Sequence, residues 1–254
     1  MPNDEPQTWE DALRIIQAAP CNELQLQRIG EVAQIDTDTR FLELASSLTL
    51  TGECVGKKFG CAVEVMEASA FFALPQKPKG PPPAGAAGME NGDALAIEFS
   101  ADTSSTRFDC IQWSLDIPLS GQELVGACQR IRSSLNVNGC LFIALPVRLG
   151  VRPSEDAASF YQSICQAPLM MPRDVASALE ESGFETLAVE FAHNRQALAR
   201  YRMIESALEK FSDVGAAVKE RWKKETRLFL KEGGVSFFPS AVFVARRWEY
   251  VDGT

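Results

Sequence analysis

The chain has one histidine, His193, in the run EFAHNRQ. Imidazole titrates near neutral pH, so His193 is the candidate general base, although nothing in the sequence brings it a second group to orient the ring. Tyr201, in ARYR, stands on an apolar helical pattern and reads either as a core aromatic or as a catalytic phenol lining a pocket. Glu43 (RFLELA) and Glu67 (AVEVME) each fall near the end of a short apolar run. A carboxylate at the end of a strand can accept hydrogen bonds from ligand hydroxyls or from the amides of the following turn. Asp102 precedes Ser-Ser, and is either an acceptor for a ligand amino group or a plain turn residue. Gln112 and Trp113, in FDCIQWSL, are odd for a buried strand: a buried glutamine needs partners, which turns Gln112 toward a pocket.

Other chemistries are poorly served. The seven cysteines include no C-x-x-C pair, and several sit inside apolar runs such as FDCIQW and NGCLFIALPV. They read as reduced core thiols, and with a single histidine no metal site is expected. Neither a G-x-S-x-G nucleophile turn nor a P-loop occurs. Lys plus Arg is 25 against 34 Asp plus Glu, a net charge of −9. Neutralising phosphates or docking on anionic lipid needs the opposite balance, so neither nucleic acid nor membrane is an expected partner. The N-terminal MPNDEPQTWED lacks the basic-then-apolar pattern of a secretory signal, and a cytoplasmic location is expected.

The elements that must position these residues follow from periodicity. Residues 8–33 are helical in pattern, and residues 1–34 read as an N-terminal helical segment ahead of an α/β domain over 35–254. RFLELASSL, TGECVGKKFG and CAVEVMEAS read as strand, helix and strand, one βαβ unit. Residues 74–93 carry five prolines and four glycines and read as a loop, inert or a lid over a pocket. ALAIEFSA is the expected third strand and RFDCIQWSL the fourth. Residues 121–135 form an amphipathic helix, which Asn138-Gly139 is expected to close before the strand CLFIALPV. Pro172 opens a helix that Gly183 caps, FETLAVEF is a strand, two helices fill 194–231, and SAVFVARRW is the last strand. The alternation predicts an α/β fold: a doubly wound, mostly parallel seven-stranded sheet with helices on both faces and one antiparallel strand. In such a sheet a ligand binds at the carboxyl ends of the strands, here beside the turn at 45–51.

RFLELASSLTLTGECVGKKFGCAVEVMEAS resembles the opening of a class I S-adenosylmethionine-dependent methyltransferase, a Rossmann-like fold. The later segments agree in order: SADTSSTRFDCIQWS, RIRSSLNVNGCLFIALPV, SALEESGFETLAVEF and LKEGGVSFFPSAVFVARR are each similar to successive parts of that family, over residues 35–248. The resemblance implies S-adenosylmethionine as cofactor, with Glu43 and the turn residues Ala45 and Ser47 near it. Glu67 would accept from its ribose hydroxyls and Asp102 from the adenine amino group, with Trp113 alongside. It also places Tyr201 among helices that line a substrate pocket. The expected partners are a small-molecule substrate and, at most, a second copy of the chain in a homodimer.

The chain departs from the family at its first turn. Where the family has three alternating glycines, this sequence has Ala45, Ser47 and Thr49. Each side chain stands where bare backbone would let a ligand approach, so weak cofactor binding is expected. Three functions stay open: methyl transfer to a small molecule, a non-catalytic relative that lost the cofactor and serves in binding or assembly, and a different nucleotide-like ligand in the same crevice.

Overall fold

A computed structural model of the chain describes residues 8–9, 12, 23–45, 51–73, 107–115, 119–149, 155, 159, 169–191, 194–212, 214–232, 234 and 239–249. In order they form α1 (Glu23–Ala33), β1 (Arg40–Ala45), α2 (Thr51–Phe59), β2 (Ala62–Glu67), α3 (Ala68–Ala73), β3 (Phe108–Ser114), α4 (Gly121–Ser134), β4 (Leu135–Pro146), α5 (Pro172–Glu181), β5 (Phe184–Phe191), α6 (Asn194–Lys210), α7 (Ala216–Lys231) and β6 (Ser240–Arg247). Among the described residues the sheet has six strands in the order β2-β1-β3-β4-β6-β5. β1 pairs in parallel with β2 and β3, and β3 with β4. β6 runs antiparallel to both β4 and β5. The expected neighbours 41–44 and 62–66 are adjacent and parallel, with Phe41 opposite Val63 and Leu44 opposite Met66. The loop at 74–93, the expected third strand ALAIEFSA, Ser47, Asp102 and His193 lie outside the described residues.

Strand alternation divides the sheet's side chains into two clusters. Leu42, Leu44, Ile111, Trp113, Leu141 and Ile143 pack with Phe71 of α3, Leu124, Cys128 and Ile131 of α4, and Val175 and Leu179 of α5. Phe41, Cys110, Phe142 and Val244 pack with Leu26 and Ile29 of α1 and Val55 of α2. Each large aliphatic or aromatic side chain sealed in this way contributes roughly 1.5–3 kcal/mol. Desolvation pushes the Cys128 thiol up to about 12 and holds Cys110 higher still, so these cysteines pack as small hydrophobes.

The helix ends carry their own signals. Ser120 and Glu123 form a reciprocal capping box at the start of α4, and those bonds hold the Glu123 carboxyl below its ordinary value. Pro172 begins α5, and Gly183, at φ 82°, takes the left-handed turn that ends it. Asn138-Gly139 does not close α4 as expected. The helix stops at Ser134, Leu135 enters β4 directly, and Asn138 sits inside the strand at φ 64°. Asn136 Nδ2 donates to Asp109 Oδ1 at 2.7 Å, and the Arg40 amide donates to Asp109 Oδ2 at 2.9 Å. One carboxylate thereby joins three strands and holds the irregular stretch of β4. At the far end of α4, the buried Arg247 guanidinium donates to the carbonyls of Arg132 and Leu135 and supplies the partners that a helix terminus lacks.

A third cluster stands apart from the sheet. Tyr201, Ile204, Leu208 and Phe211 of α6 pack with Leu228 and Phe229 of α7, and Trp9 joins them. Trp9 meets Trp222 edge-on, with ring centroids 6.3 Å apart. β5 runs in the same direction as β1 to β4, so α6 leaves the sheet at the carboxyl ends of those strands and α7 returns the chain to β6 at the same edge.

Candidate functional site

The chain passes from β1 outward to β2 and then returns to β3 on the other side of β1. The direction of winding therefore reverses between β1 and β3, and crevices in open α/β sheets form at such reversals. Two polar residues stand side by side at this reversal: Glu43 of β1 and Gln112 of β3 are register partners. Neighbouring strands lie about 4.8 Å apart, and register partners project to the same face.

Glu43 is only 1% exposed. Its Oε2 accepts the amide of Gly52 at 2.8 Å, in the first turn of α2. An anionic acceptor at a helix N-terminus satisfies a donor that the helix leaves open. Glu43 thus accepts from a backbone amide, one of the two roles the sequence leaves open to it. The fit also explains Gly52: a β-carbon there would stand 2.4 Å from Glu43 Oε2 and 2.9 Å from Val63 Cγ1. The spacing of Glu43 and Gly52 did not mark this pairing in the sequence, because it forms only where the fold brings the start of α2 to β1.

Glu67 ends β2 opposite Ala45, the last residue of β1. Its side chain is exposed, and Ser69 Oγ donates to it at 3.3 Å. An exposed carboxylate so placed can accept from paired hydroxyls. Gln112 and Trp113 are consecutive and so point to opposite faces. Trp113 lies in the cluster with Leu44 and Phe71, its ring 4.9 Å from that of Phe72. Gln112 is largely buried, at 9% exposure. Tyr201 is buried in the α6–α7 cluster, stacked on Phe229 at 4.1 Å, and its hydroxyl donates to Glu225 Oε1 at 2.9 Å. Of the residues singled out in the sequence, Glu43 and Glu67 thus share one strand edge. Trp113 is near that edge but on the other face from Glu43, and Tyr201 belongs to the helical pair. Among the described residues no group of three His, Cys, Asp or Glu side chains could hold a metal.

No family model and no curated protein matches this sequence. Solved structures do match the fold. A cyclopropane synthase, MmaA2 from Mycobacterium tuberculosis, superposes with a TM-score of 0.59 at 12% identity, over 89% of this chain and 85% of that one. A SAM-dependent methyltransferase from Geobacter sulfurreducens, in complex with S-adenosyl-L-homocysteine, superposes with a TM-score of 0.56 at 15% identity, over 92% and 96%. Phosphoethanolamine N-methyltransferase 2 from Haemonchus contortus, in complex with phosphomonomethylethanolamine and S-adenosylhomocysteine, gives 0.63 at 14%, over 94% of this chain and 57% of that one. The fold is that of the S-adenosylmethionine-dependent methyltransferases. Within that methyltransferase fold, the antiparallel β6 and the reversal between β1 and β3 are its landmarks in this chain. No helix among the described residues is long and apolar enough to cross a membrane.

Proposed function

We propose that the protein is an S-adenosylmethionine-dependent methyltransferase acting on a small-molecule acceptor. The observation that carries this reading is the placement of Glu43 and Glu67 at the carboxyl ends of neighbouring parallel strands, one buried on a helix N-terminus and one open to solvent, beside the winding reversal. The cofactor, when bound, supplies a methyl group on a sulfonium and with it the electrophile. The chain's own residues then have to bind and align, and alignment alone is worth several kcal/mol. In this reading Glu67 accepts from the ribose hydroxyls. Glu43 steadies the head of α2, and with it the turn that contains Ala45 and Ser47. Asp102 accepts from the adenine amino group and Trp113 backs the same site. His193 and Tyr201 serve the acceptor, Tyr201 from the helical pair at this strand edge.

The full architecture that goes with this reading is a doubly wound, seven-stranded sheet covered on both faces, with 94–101 as its remaining strand. Residues 35–254 make the domain and 1–34 an N-terminal helical segment. A cytoplasmic location and a homodimer complete the proposal. Calorimetric titration with S-adenosylmethionine and S-adenosylhomocysteine tests it: saturable binding of both is expected, weakened by the side chains of the turn. Absence of binding on folded protein would overturn it and leave a binding or assembly role for the fold.

A further inference from the structure

Arg200 is out of place on α6. The helix buries one stripe of side chains, and Ile204, Ala207 and Phe211 on that stripe are each at most 8% exposed. At 3.6 residues per turn, positions four, seven and eleven after Arg200 fall on its own face, so the arginine occupies the middle of the apolar stripe. An aliphatic stem suits such a place and a charged head does not. Arg200 is half-buried, and its Nε is sealed from solvent with no hydrogen-bond partner. Arg132 and Arg247 each have an Nε in the same condition, but their other nitrogens donate to the carbonyls of Trp248, and of Arg132 and Leu135. Those two guanidiniums tie chain ends together, and no such bond holds Arg200 among the described residues.

Its place in the fold says what would complete it. α6 begins at the carboxyl ends of the parallel strands, and Arg200 lies in its second turn, about 9 Å along the helix from that edge. We infer that Arg200 is a specificity-determining residue for the methyl acceptor, and that the acceptor carries a carboxylate as its handle for recognition. The planar guanidinium fork matches the two oxygens of a carboxylate, and the pair is charge-assisted. A neutral acceptor would leave the cation unpaired. A dianionic phosphate would bring one charge more than a single arginine offsets, into a helical pair that already holds the Glu225 carboxylate on the Tyr201 hydroxyl. One carboxylate balances one guanidinium. This inference rests on the methyltransferase reading, and its test separates the two.

The experiment measures binding to the full chain by saturation-transfer NMR, for wild type, Arg200→Met and Arg200→Lys. The probes are matched pairs, benzoate with benzamide, indole-3-acetate with indole-3-acetamide and hexanoate with hexanamide, and phenyl phosphate as the dianion. In wild type at least one carboxylate is expected to bind about tenfold more tightly than its amide, and benzoate more tightly than phenyl phosphate. Arg200→Met keeps the stem and should abolish the carboxylate preference, with amide binding unchanged and a melting temperature no lower than that of wild type. Arg200→Lys keeps the charge without the fork, so a folded protein with an intermediate preference is expected, and this variant decides the matter if Arg200→Met does not fold. Absence of any carboxylate preference in wild type, or a preference that survives in folded Arg200→Met or is undiminished in Arg200→Lys, would overturn the inference. Tighter binding of phenyl phosphate than of benzoate would overturn the carboxylate assignment. Calorimetry with S-adenosylhomocysteine on the same wild-type protein separates the two readings. Cofactor binding without carboxylate preference would sink this inference and leave the methyltransferase reading standing. An Arg200-dependent preference without cofactor binding would sink that reading, and with it the assignment of the carboxylate to a methyl acceptor.

Discussion

Glu67 and Glu43 are both strand-end carboxylates, yet they do opposite work. Glu43 is sealed on the Gly52 amide, and Glu67 stands in solvent with Ser69 beside it. Replacing Glu67 therefore removes little from the fold. Glu67→Ala is expected to leave the unfolding midpoint unchanged and to weaken S-adenosylhomocysteine binding about ten- to a hundredfold, the value of hydrogen bonds to a charged acceptor. Unchanged affinity in calorimetry would show that the carboxylate has no part in binding. Glycine at Ala45, Ser47 and Thr49 together should strengthen binding by clearing the backbone's approach. Each glycine costs roughly 0.5–1 kcal/mol of stability, so affinity is read on protein shown to be folded by circular dichroism. Tight binding by the natural chain would contradict the steric argument.

At the scale of elements, α4 shows how ends are secured. Its N-terminus has the Ser120–Glu123 box and its C-terminus the buried Arg247. Arg247→Met keeps the bulk but removes the guanidinium donor from the Arg132 and Leu135 carbonyls, the first of which keeps the Leu135 amide, and about 1–3 kcal/mol is expected to be lost in urea unfolding. An unaltered midpoint would mean that other groups close the helix. The middle of α4 contributes a pH dependence. Cys128 is buried against the sheet, and desolvation raises its thiol from 9.0 to about 12. The folded chain keeps this proton when the unfolded chain has lost it. The resulting stability is complete below 9.0 and falls as pH rises from there toward 12. Denaturation at stepped alkaline pH should show a decline that Cys128→Ala makes shallower. Parallel slopes for the two proteins would remove Cys128 as the source.

At the scale of the molecule, the third cluster gives the helical pair a core of its own at the edge where the ligand is proposed to bind. Trp9 packs in the core of that pair, edge-on to Trp222, while α1 packs on the sheet. Trp9→Ala should cost about 3 kcal/mol locally. Hydrogen exchange is expected to rise across α6 and α7 while β1, β3 and β4 keep their protection. Uniform loss of protection would show that the pair and the sheet unfold as one.

The alternation of apolar runs and amphipathic stretches was enough to predict strands β1 to β6 and helices α2, α4 and α5, because each buries a face whose period is local. Pro172 and Gly183 marked their helix ends for the same reason: both act through the backbone of a single residue. Asn138-Gly139 misled because the same dipeptide ends a helix or bends a strand, and here the Asn136–Asp109 bond across strands selects the bend. Likewise the bond between Glu43 and Gly52 forms only where the fold brings the start of α2 to β1. The sequence by itself determined which residues are apolar, which are charged and where the chain turns. Tertiary structure alone decided which polar groups meet, setting Glu43 beside Gln112 at the winding reversal, because that meeting depends on strand order, and strand order joins segments that local periodicity treats as independent.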